Sequence, residues 1–353
     1  MSPIRDPSNA SPVTVALGID IGGTKVLGVR LALREATARR EVAVEVLERI
    51  HLPVALGAGS SPRGVAAQVA DVASVLSVHD VDIPVGIGVA GYVDLEGIPQ
   101  RSPNVPQVVG VDLRAEVTRR LGVVPVVDND ANCVAVAAAR LRRGSAGDLV
   151  AVTFGTGIGA GFMSGWRLVR GAHGFAGEPG HMVVQRDGIP CVCGQAGCWE
   201  RYASGSRLSD LAASAFASGK VRTPTQVDSA PGGAPRSVRA GELLVEAARS
   251  GDPGAIEVLH EFCGWLALGM ANIVNLVDPE VIVVGGGLSV ALDVLGGPLR
   301  TEMERNPTIA GRMPVIEAAP MADASGAVGA ALMALEAAGG DPEMGSGASG
   351  STG

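Results

Sequence analysis

Three cysteines fall within eight positions, Cys191, Cys193 and Cys198, and His181 stands ten residues before the first of them. Three thiolates and one imidazole suit tetrahedral Zn²⁺, and the glycines at 194 and 197 let one short segment wrap around an ion. Glu178 precedes the histidine by three residues and Glu200 follows the last cysteine by two, so two carboxylates flank the same segment. Two carboxylates with an imidazole, supported by a rigid metal loop, are what a polyol needs for oriented hydrogen bonds. Solvated glutamates are the plainer alternative.

Two glycine-rich loops carry a second chemistry. Asp20-Ile21-Gly22-Gly23-Thr24-Lys25 lies between two strand-like segments. Glycine lets the backbone approach a phosphate, whose oxygens take hydrogen bonds from backbone N–H groups and a threonine hydroxyl. The Gly-Lys-Ser/Thr spacing of a Walker loop is absent. Asp20 beside the phosphates would hold a water on Mg²⁺. The run from Thr153 to Gly161, with Gly155, Thr156, Gly157 and Gly159, repeats the composition and the context. One such loop also fits an ordinary hairpin; two in one chain point to a nucleotide clamped from both sides. A fourth constellation, Val127-Asp128-Asn129-Asp130-Ala131-Asn132, runs from a strand end into a helix. Strand ends line ligand crevices in open α/β sheets, where Asp130 would accept a hydroxyl proton; helix capping is the bland role for any one of these residues.

These side chains need elements to position them. Short strand-like, largely apolar segments predict strands over Val13–Ile19, Val26–Leu31, Val44–His51, Val85–Ala90, Val123–Val127, Leu149–Phe154, Gly159–Met163 and Val281–Val284. Helical spacing predicts helices over Val65–Ser77, Leu113–Leu121, Asp130–Arg143 and Ala324–Leu335. Asp252-Pro253 opens a longer helix, with the acid as cap and proline in the first turn. Its buried stripe is Leu259, Phe262, Cys263, Leu266, Met270, Ile273 and Val277, and Asp278-Pro279 ends it. Thr223–Arg236 reads as a loop. Glycine-punctuated strand units near 17–30 and 149–163 suggest a duplicated architecture.

Composition narrows the class. The 353 residues are 47% hydrophobic, enough for a sizeable core in two domains or one large one. Lys+Arg total 28 against Asp+Glu 36, a net charge of −8, and aromatics are 3%. That balance speaks against gripping a polyanion or stacking on single-stranded bases. Apolar runs stay short of a membrane span, the N-terminus lacks a signal-peptide pattern, and the clustered cysteines suit a metal in a reducing compartment. The expectation is a soluble, cytoplasmic protein with no nucleic-acid or membrane partner.

The set resembles the ROK family (repressors, open reading frames and sugar kinases), and within it the bacterial glucokinases, over roughly residues 13–338. The resemblance is carried by Asp20-x-Gly22-Gly23-Thr24, Ser102-Pro103-Asn104, Asn129-Asp130-Ala131-Asn132, Gly155-Thr156-Gly157, Gly177-Glu178-x-Gly180-His181, the run from Cys191 to Glu200, and Gly285-Gly286-Gly287. It implies an α/β actin-like ATPase (ribonuclease H-like) fold with two domains around a deep cleft. The expected organisation is a flexible leader at 1–12 and a small domain of 13–128 plus about 321–338. A large domain at 129–320 carries the zinc motif, and a disordered tail occupies 339–353. It implies transfer of the ATP γ-phosphoryl to the 6-hydroxyl of glucose, an early step of carbohydrate metabolism, with Asp130 as general base. Asn104, Asn129, Asp130, Glu178, His181 and Glu200 become the sugar contacts. Asp20, Gly22, Gly23, Thr24, Lys25, Gly155, Thr156, Gly157, Gly159, Gly285, Gly286 and Gly287 become the ATP site, with Mg²⁺ on the phosphates. His181, Cys191, Cys193 and Cys198 become ligands of a structural Zn²⁺ that fixes one nitrogen of His181, so that the other points at sugar hydroxyls. A homo-oligomer, dimer or tetramer, is implied as well.

Other readings remain beside this one. A kinase for N-acetylmannosamine, N-acetylglucosamine or fructose would share the same contacts. A polyphosphate-dependent glucokinase would depart from the full cysteine motif and carry extra basic residues. A sugar-sensing regulator would need a helix-turn-helix ahead of the first strand, where only about a dozen residues stand.

Overall fold

The computed structural model describes residues 13–35, 42–54, 62–77, 82–142, 147–222, 236–309 and 311–339. The leader expected at 1–12, the tail expected at 339–353 apart from Gly339, and the loop expected over Thr223–Arg236 apart from its last residue lie outside them. The chain forms two compact units, one up to Gly144 and again from Ala324, the other Ser145–Asp323.

The first unit holds a sheet of β1 (Val13–Ile21), β2 (Lys25–Glu35), β3 (Val42–Pro53), β4 (Val85–Val89) and β7 (Val126–Asn129) in the order β3-β2-β1-β4-β7. A two-stranded sheet pairs β5 (Tyr92–Val93) with β6 (Pro99–Arg101). β1 and β2 form an antiparallel hairpin, while β4 lies parallel to both β1 and β7. Helices α1 (Pro62–Leu76), α2 (Leu113–Leu121) and α3 (Asp130–Leu141) follow β3, β6 and β7. β4 is buried along its whole length, as a strand covered on both faces must be.

The second unit repeats the plan. Strands β8 (Leu149–Phe154), β9 (Ile158–Ser164), β10 (Arg167–Leu168), β11 (Val281–Gly286) and β12 (Val315–Ala318) form a sheet in the order β10-β9-β8-β11-β12. Again the first two strands form an antiparallel hairpin and the next two add in parallel. Helices α4 (Glu200–Ala203), α5 (Gly205–Ala217), α6 (Arg236–Arg249), α7 (Pro253–Val277) and α8 (Leu292–Glu304) build the rest of it. Asp252 caps α7 by accepting from the Ala255 N–H at 3.0 Å, and Asp278 ends the helix in the left-handed conformation. Leu259, Phe262, Cys263, Leu266, Met270 and Ile273 are buried as the stripe requires, but Val277 is 46% exposed.

The final helix, α9 (Ser325–Ala337), follows β12 in the chain yet belongs to the first unit. It lies directly on β1 and β4. A Cβ at Gly18 would sit 1.8 Å from the Ala327 carbonyl oxygen, and one at Gly86 equally close to that of Ala330. Cys133 of α3 packs its sulfur 3.7 Å from Met333, and Arg140 donates to Glu336 at 2.7 Å. These contacts place α3 in the first unit, so the boundary falls between 144 and 145 and again between 323 and 324. The sequence placed it at 128/129 and near 321, because a strand end is visible there and the packing of two distant helices is not. Among the described residues no helix is long and apolar enough to cross a membrane.

Candidate active site

In the first unit the carboxyl ends of three parallel strands lie side by side. Asp20 pairs with Gly88, and Gly88 with Asp128. β1 runs on through Ile21, so Asp20 is a strand residue and not part of the turn. Its Oδ1 is enclosed and has no hydrogen-bond partner among the described residues. Burial, and then the charge of Asp130, push the Asp20 carboxyl up to about 7, while Lys25 pulls the other way. Asp130 opens α3 and accepts from the Ala131 N–H at 2.9 Å. Burial raises its pKa against the pull of backbone hydrogen bonds. A carboxylate raised in this way is a stronger proton acceptor than a solvated one.

The helix cap is Asn129. Its Oδ1 accepts from the N–H groups of Ala131 and Asn132 at 2.8 and 3.0 Å, and its amide donates to the Gly91 carbonyl at 2.8 Å. Asp128 is buried and takes the Asn129 N–H and the Asn132 amide, each at 2.7 Å. Asp130 is thereby released from capping and held at a fixed turn. Asn104 is exposed and stands against Gly23, where an added Cβ would come within 3.1 Å of its own Cβ. The Ser102 hydroxyl fixes that segment by donating to the Ala90 carbonyl at 2.6 Å. In the loop itself the Gly22 N–H donates to the Lys25 carbonyl at 3.0 Å. The N–H groups of Gly23 and Thr24 have no partner among the described residues.

The second unit carries the matching loop. The Gly155 N–H donates to the Gly157 carbonyl at 3.0 Å, again leaving two successive N–H groups, those of Thr156 and Gly157, without a partner among the described residues. Such a pair of free donors is an anion site in waiting. Gly285 pairs with Thr153 and Gly286 with Phe154, which brings the glycine triplet alongside this loop. Gly159 lies two residues past Gly157, inside β9 and opposite Thr153.

His181, Cys191, Cys193 and Cys198 converge, with their ligand atoms all within 4.8 Å of one another. Cys193 and Cys198 sulfurs are 3.5 Å apart, and the Cys191 sulfur is 3.8 Å from His181 Nδ1. Around a tetrahedral Zn²⁺ with Zn–S of about 2.3 Å, sulfurs lie roughly 3.8 Å apart, so the donor set fits the ion. Burial, and then the two neighbouring thiols, push Cys198 up to about 12. Only a cation makes three adjacent thiolates favourable there. Gly177 adopts φ +102°, and a Cβ on it would lie 2.1 Å from the Ala160 carbonyl oxygen. The segment carrying Glu178 and His181 is thus laid directly on β9. Glu200 begins α4, and its Oε2 accepts from the Ile158 N–H at 3.0 Å.

The structure therefore groups Asp20, Gly22 to Lys25, Asn104, Asn129 and Asp130 in one unit. Gly155 to Gly157, Glu178, His181, the cysteines, Glu200 and the glycine triplet gather in the other. Sequence reasoning missed the residues that brace the second loop. The Gly205 N–H donates to the Gly155 carbonyl at 2.9 Å, and the Ser206 hydroxyl to that of Thr156 at 2.8 Å. Ser204, which caps α5, was a legible signal for a helix starting there. Also missed was Trp199, fully buried, edge-on to Phe154 and donating to the Trp265 carbonyl at 2.7 Å.

The sequence model of the ROK family matches residues 16–337. The chain is 32% identical to a glucokinase of Streptomyces coelicolor, over 91% of this chain and 98% of that protein. It is 31% identical to an N-acetyl-D-glucosamine kinase of Erwinia tasmaniensis, over 90% of this chain and 99% of that protein. Among solved structures, a ROK family glucokinase from Streptomyces griseus in complex with glucose and AMPPNP superposes with a TM-score of 0.74. It is 31% identical, covering 91% of this chain and 99% of the other.

Proposed function

The chain belongs to the ROK family as a sugar kinase of the α/β actin-like ATPase (ribonuclease H-like) fold, and from that premise we propose that it transfers the γ-phosphoryl of ATP to the 6-hydroxyl of glucose. The observation that carries the chemistry is Asp130, a carboxylate with raised pKa at the end of a parallel strand, freed from capping by Asn129. Asp130 takes the proton of the 6-hydroxyl as that oxygen forms its bond to the γ-phosphorus and the bond to the β,γ-bridging oxygen breaks. Positioned proton transfer of this kind contributes about 10²–10⁴-fold.

The free N–H pair at Thr156/Gly157, with Gly285–Gly287 beside it, supports phosphate binding in the second unit, and the pair at Gly23/Thr24 supports phosphate binding in the first. Asp20 would hold a water on Mg²⁺, an ion that would neutralise phosphate charge there. Asn104, Asn129, Glu178, His181 and Glu200 are the proposed sugar contacts. Asn129 keeps one amide hydrogen beyond the bond to Gly91, and its oxygen is spent on the cap. His181, Cys191, Cys193 and Cys198 would hold a structural Zn²⁺, which fixes the imidazole through Nδ1, the nitrogen that faces the cluster. The likeness to glucokinases and to an N-acetylglucosamine kinase at nearly equal identity keeps the acylated sugar as the second reading. A coupled ADP-release assay over a panel of hexoses, with ATP and polyphosphate as donors, tests the proposal. Turnover of glucose with ATP is expected; turnover of N-acetylglucosamine but not glucose would overturn the sugar assignment and keep the phosphoryl transfer.

A further inference from the structure

Glu200 touches both the metal segment and the glycine-rich loop. Its Oε2 accepts from the Ile158 N–H at 3.0 Å, and a Cβ at Gly157 would sit 2.2 Å from that same oxygen. The carboxylate fills the space that glycine leaves. Its Oε1 is 4.0 Å from the Cys191 sulfur, which is itself 3.8 Å from His181 Nδ1. The backbone carrying Glu200 is held on its other side. Trp199 is clamped by the Trp265 carbonyl and lies against Gly269, where a Cβ would come within 1.9 Å of the indole. The cysteine loop is tied to α4 as well, since the Tyr202 hydroxyl accepts from the Ile189 N–H at 2.8 Å.

The loop from Gly155 to Ile158 is thus braced at its carbonyls by Gly205 and Ser206 and at its last N–H by Glu200. The two N–H groups left over, at Thr156 and Gly157, stand between these braces. Glu200 stands beside both of them, with Oε2 on the next N–H of the loop and Oε1 against the Cys191 sulfur. We propose that Glu200 is a positioning residue linking the cysteine cluster to the phosphate loop, so that the structural metal and the nucleoside triphosphate favour one another's binding. The proposal rests on the phosphate-loop reading of Gly155–Gly157. Coupling between two sites is reciprocal, so it is measurable from either end.

The test uses the metal-loaded full chain without sugar and in excess Mg²⁺. One arm measures the rate of metal loss to a zinc-selective chromogenic chelator with and without saturating AMPPNP. The other measures AMPPNP affinity for loaded and metal-stripped chain by calorimetry. The expected result is that AMPPNP slows metal loss about tenfold and binds about tenfold tighter to the loaded chain, the change expected when a charge-assisted hydrogen bond is lost. Both factors should fall to near one in Glu200→Ala, and also in Gly157→Ala, which displaces the carboxylate while leaving every cysteine in place. Glu200→Gln, which keeps an acceptor, should retain part of the coupling. Wild-type factors of one with AMPPNP still bound, or full coupling in both alanine variants, would overturn the proposal. Failure of the loaded wild-type chain to bind AMPPNP at all would instead overturn the phosphate-loop reading on which it stands.

Discussion

Asp20 and Thr153 occupy the same place in two sheets of the same topology. Each is the next-to-last residue of the first strand of a hairpin, and each lies opposite a glycine in the neighbouring parallel strand, Gly88 and Gly285. Each is followed by a turn that leaves two N–H groups without a partner among the described residues. Around Asp20 the first unit collects a second carboxylate, Asp130, and burial raises the pKa of both. Around Thr153 the second unit collects braces: a hydroxyl at 3.3 Å from the Gly159 carbonyl, α5 behind the loop, and Glu200 with the cysteine segment beside it. One backbone plan leaves two pairs of free N–H groups; on the proposed reading, the side chains at the strand ends give the first to proton chemistry and the second to binding.

The division predicts where substitutions should hurt, and how. Asp130→Asn should lower kcat by at least about 10²-fold with the KM for glucose little changed, since it removes the base and keeps the shape. Near-normal kcat in steady-state kinetics would erase the contrast between the units. Cys198→Ser should act on binding instead. Wild type is expected to carry one zinc per chain by elemental analysis. The variant should lose most of it and raise the KM for sugar about 10-fold or more, because the imidazole of His181 is no longer fixed. A metal-free chain with unchanged KM would remove the second unit's distinctive role.

Asp20→Asn sharpens the comparison through stability. With its folded-state pKa near 7 against an ordinary 3.8, Asp20 holds a proton that the unfolded chain has released between about pH 4 and 7. Folding stability therefore falls as pH rises across that window and is flat above it. An amide does not ionise, so the ligand-free variant should unfold a few degrees higher than wild type at pH 8 and no higher at pH 4, by thermal melts. Thr153→Val, the matching change in the second sheet, should have the smallest effect. One long hydrogen bond is lost, worth roughly 0.5–1.5 kcal/mol, with no pH-dependent difference in melting between pH 4 and 8.

Much of this was visible locally. Leu149–Phe154 is the apolar strand and Leu113–Leu121 the helix that the sequence predicts, and Asp252 caps the helix it was expected to cap. The cysteines and His181 announced a metal-binding set by type and spacing, and they converge. Strand β12, helices α5, α6 and α8, and the exposure of Val277 were not read. Short or partly polar elements leave a weak period, and how much of a stripe's last residue is covered depends on neighbours the period does not name.

The sequence by itself determined the chemistry on offer: two glycine-rich turns, an acid at a strand end, and a thiolate–imidazole set. Each is a pattern within a dozen or so residues, fixed by local backbone preference and side-chain type. Only the tertiary structure decided which of these groups meet. It put α9 with the first sheet, because Gly18 and Gly86 let a distant helix approach where any side chain would collide. It moved the boundary past α3, which packs on that helix. It assigned the cap to Asn129 and freed Asp130, and it set Glu200 on the Ile158 N–H, 42 residues away in the chain. Contacts between residues so far apart follow from how whole elements bury their faces against one another, and no local pattern encodes that choice.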